Sequence, residues 1–207
     1  VPVNIDDDAI TRDAIARAAA QFILSLAPKP KLIGVSWGRT MAAVAHRMAP
    51  NWNDGVHIVL LNGATSRLSF SSPISNVAER LAITGRGTAT LLPVPAILGS
   101  QKTRQALEDD PMVSEVLDLA REAPVVCFGL GELSRHSVLV SLGYLTEADI
   151  DGLRLDGAVG DILGRFVDGT GRIVNPSLDA RTLGLELDAL PRKQLSIGVA
   201  GGTTKHE

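Results

Sequence analysis

A short apolar run, a glycine-containing turn and a helix-compatible stretch recur along this chain, and that recurrence restricts the fold more than any other feature. Lys31-Leu32-Ile33-Gly34-Val35 has the length and apolar content of a buried strand; Ser36-Trp37-Gly38 then turns the chain, and a helix runs on through Met48. Val56 to Leu61 repeats the strand, Asn62-Gly63 the turn and Ile74 to Thr84 the helix. Pro124 to Phe128 begins the unit again and leads straight into Gly129-Leu130-Gly131. Strands that are continuously apolar and alternate with helices predict an α/β fold, an open parallel-type sheet with helices on both faces. Aromatics make up 3% of the chain against 45% apolar residues, so the core must be built from Ala, Leu, Ile and Val.

The flanking segments read in the same way. Ala9 to Leu26 is expected to be a helix with Ile15, Ala19, Phe22 and Leu26 on one apolar face, acidic Asp6 to Asp8 at its start and Pro28 and Pro30 beyond its end. Thr88 to Val94 predicts a strand broken by Pro93, followed by helices at Lys102–Glu108 and Met112–Arg121, with Pro111 at the start of the second. Thr146 and Asp149 have the spacing of a capping box. Phe166 to Val174 predicts a hairpin with glycine at its turn, and Gln194 to Val199 a last strand running into Gly201-Gly202. No linker or repeat interrupts the series, so residues 1–207 are expected to form one domain.

Charge and cysteine usage narrow the function. The net charge is −3 and the 20 Lys and Arg residues are spread along the chain, so no basic stripe is available to neutralise nucleic-acid phosphates, and the chain alone is not expected to bind DNA. A pocket for a small anion needs only one or two charges and some backbone donors. The single cysteine, Cys127, lies in an apolar run, where a buried side chain is expected; no intrachain disulfide can form, which fits a reducing cytoplasm. No apolar stretch approaches the roughly 20 residues of a membrane span. His46, His57, His136 and His206 lack metal-ligand spacing, and Gly129-Leu130-Gly131 lacks the third glycine of a dinucleotide fingerprint, so neither a metal nor an organic cofactor is expected.

In an open parallel sheet the turns after the strands gather at the edge formed by the strands' carboxyl ends, where ligands bind. Ser36-Trp37-Gly38-Arg39-Thr40, Asn62-Gly63-Ala64-Thr65, Gly129-Leu130-Gly131-Glu132 and Ala200-Gly201-Gly202-Thr203-Thr204-Lys205 are therefore expected to form one site. Glycines let backbone N–H groups approach an anion, and a helix N-terminus adds unpaired donors, so phosphate suits this edge. Ser36 and Thr40 add hydroxyls and Arg39 a charge; Trp37 either caps a sugar face or packs. Glu132 and Asp161 are the acidic candidates for sugar hydroxyls, with a turn aspartate as the plainer reading of Asp161. Lys205 either reaches the ligand or is solvated. Ser36 has no neighbouring base or nucleophile elbow, so no catalytic residue is assigned.

Taken in order, Ile33 to Thr40, Leu92-Pro93-Val94-Pro95-Ala96, Asp109-Asp110-Pro111, Phe128 to Gly131, Gly157 to Phe166 and Gly198 to Lys205 resemble the effector-binding domain of the SorC family of bacterial transcription regulators. The resemblance covers nearly the whole chain. It implies a Rossmann-like fold related to glucosamine-6-phosphate deaminase and ribose-5-phosphate isomerase, with enzyme activity lost and a phosphorylated sugar kept as the signal. It implies further a separate N-terminal helix-turn-helix that contacts DNA, absent from these residues, and a homo-oligomer. By position, Ser36 to Thr40 match the family's phosphate-side loop, Asp161 its hydroxyl-binding acid and Lys205 its ligand-contacting lysine. A phosphosugar isomerase or deaminase on the same fold, and a small-molecule-binding module with no role on DNA, are the competing readings.

Overall fold

A computed structural model describes residues 8–63 and 77–202. The chain runs α1 (Asp8–Ser25), β1 (Leu32–Val35), α2 (Arg39–Arg47), β2 (His57–Leu60), α3 (Val77–Thr84), β3 (Thr88–Thr90), α4 (Gln101–Glu108), α5 (Pro111–Glu122) and β4 (Val125–Glu132). It continues through α6 (Val138–Ser141), α7 (Glu147–Leu155), β5 (Gly160–Ile162), β6 (Arg165–Val167), α8 (Pro176–Asp179), a 3-10 helix at Leu187–Arg192 and β7 (Leu195–Val199). The first part of the helix expected from Ile74 lies outside the described residues.

Parallel pairing orders the main sheet β3-β2-β1-β4-β7, so the chain builds outward from β1 to one side and then restarts at β4 on the other. Such a reversal makes the loops after β1 and β4 diverge and leaves a crevice between them. Ile33, Val35, Ile58, Val59, Leu60, Val126 and Cys127 are buried, as expected of strands covered on both faces. Gly34 lies in β1 where an added Cβ would overlap the Leu61 side chain, so the close packing of β1 on the end of β2 depends on that glycine.

The structure corrects three sequence expectations. On α1 the buried stripe is Ala16, Ala20 and Ile23; Ile15 and Ala19 only flank it, and Phe22 is 48% exposed. Bulky apolar spacing misplaces the stripe because α1, which packs against α2, buries the small Ala16 and Ala20 instead of its larger side chains. The strand expected to stop at Phe128 continues to Glu132, so Gly129-Leu130-Gly131 is not a turn but strand. Its far half leaves the parallel sheet and pairs antiparallel with β5, Leu130 opposite Ile162 and Gly131 opposite Asp161. The strand expected to reach Val94 is confined to Thr88–Thr90.

Other local expectations hold. Thr146 Oγ1 accepts the Asp149 N–H at 3.2 Å while the Asp149 carboxylate accepts the Thr146 N–H at 2.8 Å, completing the capping box of α7. Asp110 caps α5, with Pro111 just inside it. The Phe166–Val174 hairpin is short: Val174 N–H donates to Phe166 O, and Gly171 at φ 83° turns it. A smaller apolar cluster of Leu139, Leu145, Ile150, Leu153, Ala158, Phe166 and Leu178 lies beside the main core, and Trp37 packs against both.

Candidate functional site

Where β1 ends and β4 leaves the parallel sheet, a cavity of about 150 Å³ opens. The loop from Ser36 to Met41 forms one wall, the β4 extension from Gly129 to Glu132 another, and Asp161, Leu163 and Gly164 of the β5–β6 hairpin a third. Asn62 at the end of β2, Ser137 to Leu139, Asp8, Arg12 and Ile15 of α1, and Gly201 after β7 complete it. Among the residues singled out from sequence, Ser36, Trp37, Gly38, Arg39, Thr40, Gly129, Gly131, Glu132 and Asp161 therefore come together. Gly63 stands just behind the cavity wall, and Lys205 lies outside the described residues.

The Ser36–Thr40 loop is stitched to β4 before it reaches the cleft. Ser36 N–H donates to Cys127 O at 3.1 Å, and its Oγ accepts the Gly129 N–H at 3.2 Å. Both of these bonds are structural, so Ser36 fixes the crevice and its backbone N–H is already used. Gly38 then takes φ 129° and ψ 170°, open to glycine, and stands as N-cap of α2 with no side-chain cap. The first helical bond of α2 runs from Ala42 N–H to Gly38 O at 2.8 Å. The preceding N–H groups of the first turn have no intrahelical acceptor, and their residues line the cleft at the positive end of the helix dipole, an arrangement suited to an anion.

The opposite wall is acidic. Asp161 Oδ2 accepts the Gly164 N–H at 3.0 Å, which orients the carboxylate beside the tight β5–β6 turn. Leu163 and Gly164 both have positive φ, 56° and 83°, in that turn, the left-handed pair that a two-residue hairpin demands. Leu163 is buried at 4% exposure and lines the cavity, so its apolar burial offsets the strain of a left-handed leucine. Glu132 pairs with Arg39 at 3.4 Å, and the same guanidinium reaches His136 O at 3.4 Å. Arg39 is thereby drawn toward the β4 side of the cleft.

Trp37 resolves toward packing on one edge: its Nε1–H donates to Gly63 O at 2.7 Å, and its ring tilts against Tyr144 at a centroid distance of 6.5 Å. The Gly63 turn is thus a support for Trp37. An added Cβ there would lie 2.6 Å from Pro95 O, so only glycine fits. Arg12 was not singled out from the sequence, whereas Asn62 belongs to the Asn62-Gly63-Ala64-Thr65 turn expected at the site; of that turn Asn62 lines the cleft, and Ala64 and Thr65 lie outside the described residues. Arg12 reaches the cleft from α1, and its guanidinium makes no hydrogen bond or ion pair with the described residues. An arginine on an amphipathic helix carries no signal of what it faces. Asn62 was legible only as half of a turn, although an asparagine ending a buried strand is itself an unusual polar residue at such depth.

Among the described residues no group of three or more His, Cys, Asp and Glu could hold a metal ion. His57 Nε2 lies 2.7 Å from Thr90 Oγ1, and His46 Nδ1 2.8 Å from the Arg80 guanidinium. Burial pushes the Cys127 thiol up to about 12, so it stays protonated and serves as core beside Met41. Among the described residues no helix is long and apolar enough to cross a membrane.

Fold and cleft together define an α/β domain with a cleft at the carboxyl edge of a parallel sheet. The Sugar-bind family model, which describes a sugar-binding domain, matches residues 1–207, and the chain belongs to this family. The Bacillus subtilis (strain 168) deoxyribonucleoside regulator is 31% identical over 196 residues, a match covering 95% of this chain and 62% of that protein. The Escherichia coli (strain K12) transcriptional regulator YjhU is 28% identical over 200 residues, with 95% and 60% covered. The chain thus spans about three fifths of the length of these relatives, all of which carry the names of regulators and not of enzymes. The full-length sorbitol operon regulator SorC from Klebsiella pneumoniae shares the fold with a TM-score of 0.82 at 22% identity, over 94% of this chain and 64% of that one. A DeoR family regulator from Listeria monocytogenes does so at 0.84 and 24%, over 96% and 78%.

Proposed function

We propose that this chain is the sensing domain of a transcription regulator of carbohydrate metabolism and that its cleft binds a phosphorylated sugar. The observation that carries the reading is the uncapped N-terminus of α2 opening into a cavity that also holds the Asp161 carboxylate. The helix end supplies N–H donors for a phosphate, and the carboxylate accepts hydrogen bonds from sugar hydroxyls. Thr40 adds a hydroxyl, and Arg12 and Lys205 add positive charge on the phosphate side. Glu132 holds Arg39 in place at the rim and takes part in hydroxyl recognition.

The longer protein binds DNA through a helix-turn-helix outside these residues and acts as a homo-oligomer, whose geometry on DNA changes when the effector binds. Regulator names among the relatives and the family membership support this; an isomerase or deaminase reading has no such support. Oligomers suit symmetric operators because each half-site is read by one copy. The test is calorimetry of the chain against pentose and hexose phosphates, each paired with its unphosphorylated sugar. A phosphorylated member binding at least tenfold tighter than its partner sugar is the expected result, and equal affinities across every pair would overturn the reading.

A further inference from the structure

Among the described residues, Asn62 Oδ1 is the one buried side-chain nitrogen or oxygen with no hydrogen-bond partner. Asn62 is 4% exposed and lines the cleft. Its backbone is clamped: Leu61 N–H donates to Val35 O at 2.9 Å, Leu185 N–H donates to Leu61 O at 2.7 Å, and Asn62 itself bridges Gly184. Gly184 approaches so closely, at φ 147°, that an added Cβ would stand 2.7 Å from Asn62 Cα. The side chain therefore cannot swing to solvent by moving its backbone, and the unbound protein keeps a desolvated acceptor at the cost of a lost hydrogen bond. Clefts, unlike cores, recover such a cost when a ligand arrives.

We infer that Asn62 is a specificity-determining residue of the effector site, its carboxamide oxygen accepting a hydrogen bond from one hydroxyl of the sugar. The inference rests on the cleft being the effector site and adds which kind of group must be presented there. A neutral acceptor on a fixed backbone selects a donor; a deoxy, fluoro or methoxy position in that place would leave the oxygen buried and unpaired. Sites built around a polar partner reject analogues that lack it far more strongly than apolar pockets reject a missing methylene.

Two measurements on the whole chain test this. First, the thermal midpoint of the unbound protein is compared between wild type and Asn62→Leu, which is close in shape and removes the orphan acceptor. The midpoint is expected to hold or rise; a fall of several degrees, with ligand affinity intact, would show Asn62 to be a structural residue and overturn the inference. Second, the tightest-binding sugar phosphate of the panel is titrated alongside its monodeoxy analogues. Wild type should lose tenfold or more at one particular position, Asn62→Leu should bind parent and that analogue alike, and Asn62→Asp, which keeps an acceptor oxygen, should restore the discrimination. Discrimination at that position unchanged in Asn62→Leu would sink the inference while leaving the sugar-phosphate reading intact. Failure of the whole panel to bind wild type would sink both.

Discussion

Asp161 faces Gly131 across the antiparallel β4–β5 ladder, and its Oδ1 occupies space that a Cβ on residue 131 would need. The carboxylate therefore lies over the strand, held from the other side by the Gly164 N–H. Glycine at 131 is a requirement of where Asp161 must point, and the acid and the glycine act as a unit. Gly131→Ala should displace the carboxylate and cost about 1–3 kcal/mol of stability, as overpacking does. Denaturant unfolding checks the stability, and calorimetry should show weakened binding of both sugar and sugar phosphate.

Asp161→Ala isolates the carboxylate. Acting on hydroxyls, its loss should weaken phosphorylated and unphosphorylated ligands by similar factors, about 1–3 kcal/mol if a charged hydrogen-bonding group leaves a half-buried site. A loss confined to the phosphorylated ligand would place the phosphate beside Asp161 instead.

Thr40→Val and Lys205→Ala should do the opposite and weaken phosphorylated ligands selectively, on the order of tenfold or about 1.4 kcal/mol each, with little effect on the free sugar. Arg12→Gln belongs with them. Isothermal titration with matched pairs separates the classes, and equal losses for both ligand forms in Lys205→Ala would move the phosphate away from Lys205.

Arg165 was not singled out by sequence, yet it is 2% exposed and holds the β5–β6 hairpin against the segment that packs on Asn62. Its guanidinium pairs with Asp179 Oδ1 and donates to Gly184 O at 3.2 Å and Leu185 O at 3.4 Å. Arg165→Ala leaves the Asp179 charge and those carbonyls unpaired and should cost about 3–5 kcal/mol. Arg165→Met keeps most of the apolar volume and should cost less, which a pair of denaturation curves would show.

The parallel sheet was legible because Ile33–Val35, Ile58–Leu60 and Val125–Phe128 are buried and read as short apolar runs followed by glycine-containing segments. The gathering of Ser36–Thr40 and Gly129–Glu132 followed from that topology, whereas Asp161, on the antiparallel β5, was placed at the site by the family resemblance. What stayed hidden depends on partners distant in sequence. Gly129-Leu130-Gly131 reads as a turn because glycines usually mark one, and only the pairing with Ile162 and Asp161 makes it strand. Arg12 enters the cleft through the packing of α1, and the turn residue Asn62 is held there by the clamp at Gly184; neither contact leaves a local pattern. The face of α1 was misread because Ala16 and Ala20 carry the packing that bulky residues were expected to carry.

The capping box of α7 gives a prediction with a sign in pH. Asp149 accepts first the Thr146 backbone N–H and then the Thr146 hydroxyl, and these bonds hold its carboxyl below the usual carboxylate range. A depressed folded value means that the ionised carboxylate stabilises the fold. That contribution is complete above the unfolded value of about 4 and is lost as pH falls through the lower folded value. Thr146→Ala removes both the hydroxyl that receives the Asp149 N–H and one of the bonds that depress its carboxyl. It should cost about 1 kcal/mol at neutral pH, the usual worth of an N-cap. Because Asp149 is exposed, solvent screens the charge, so the difference between wild type and Thr146→Ala should be constant from pH 6 to 8 and shrink below pH 4. Urea unfolding at a series of pH values measures it, and a difference that grows on acidification would show that the carboxylate is stabilised by something other than this cap.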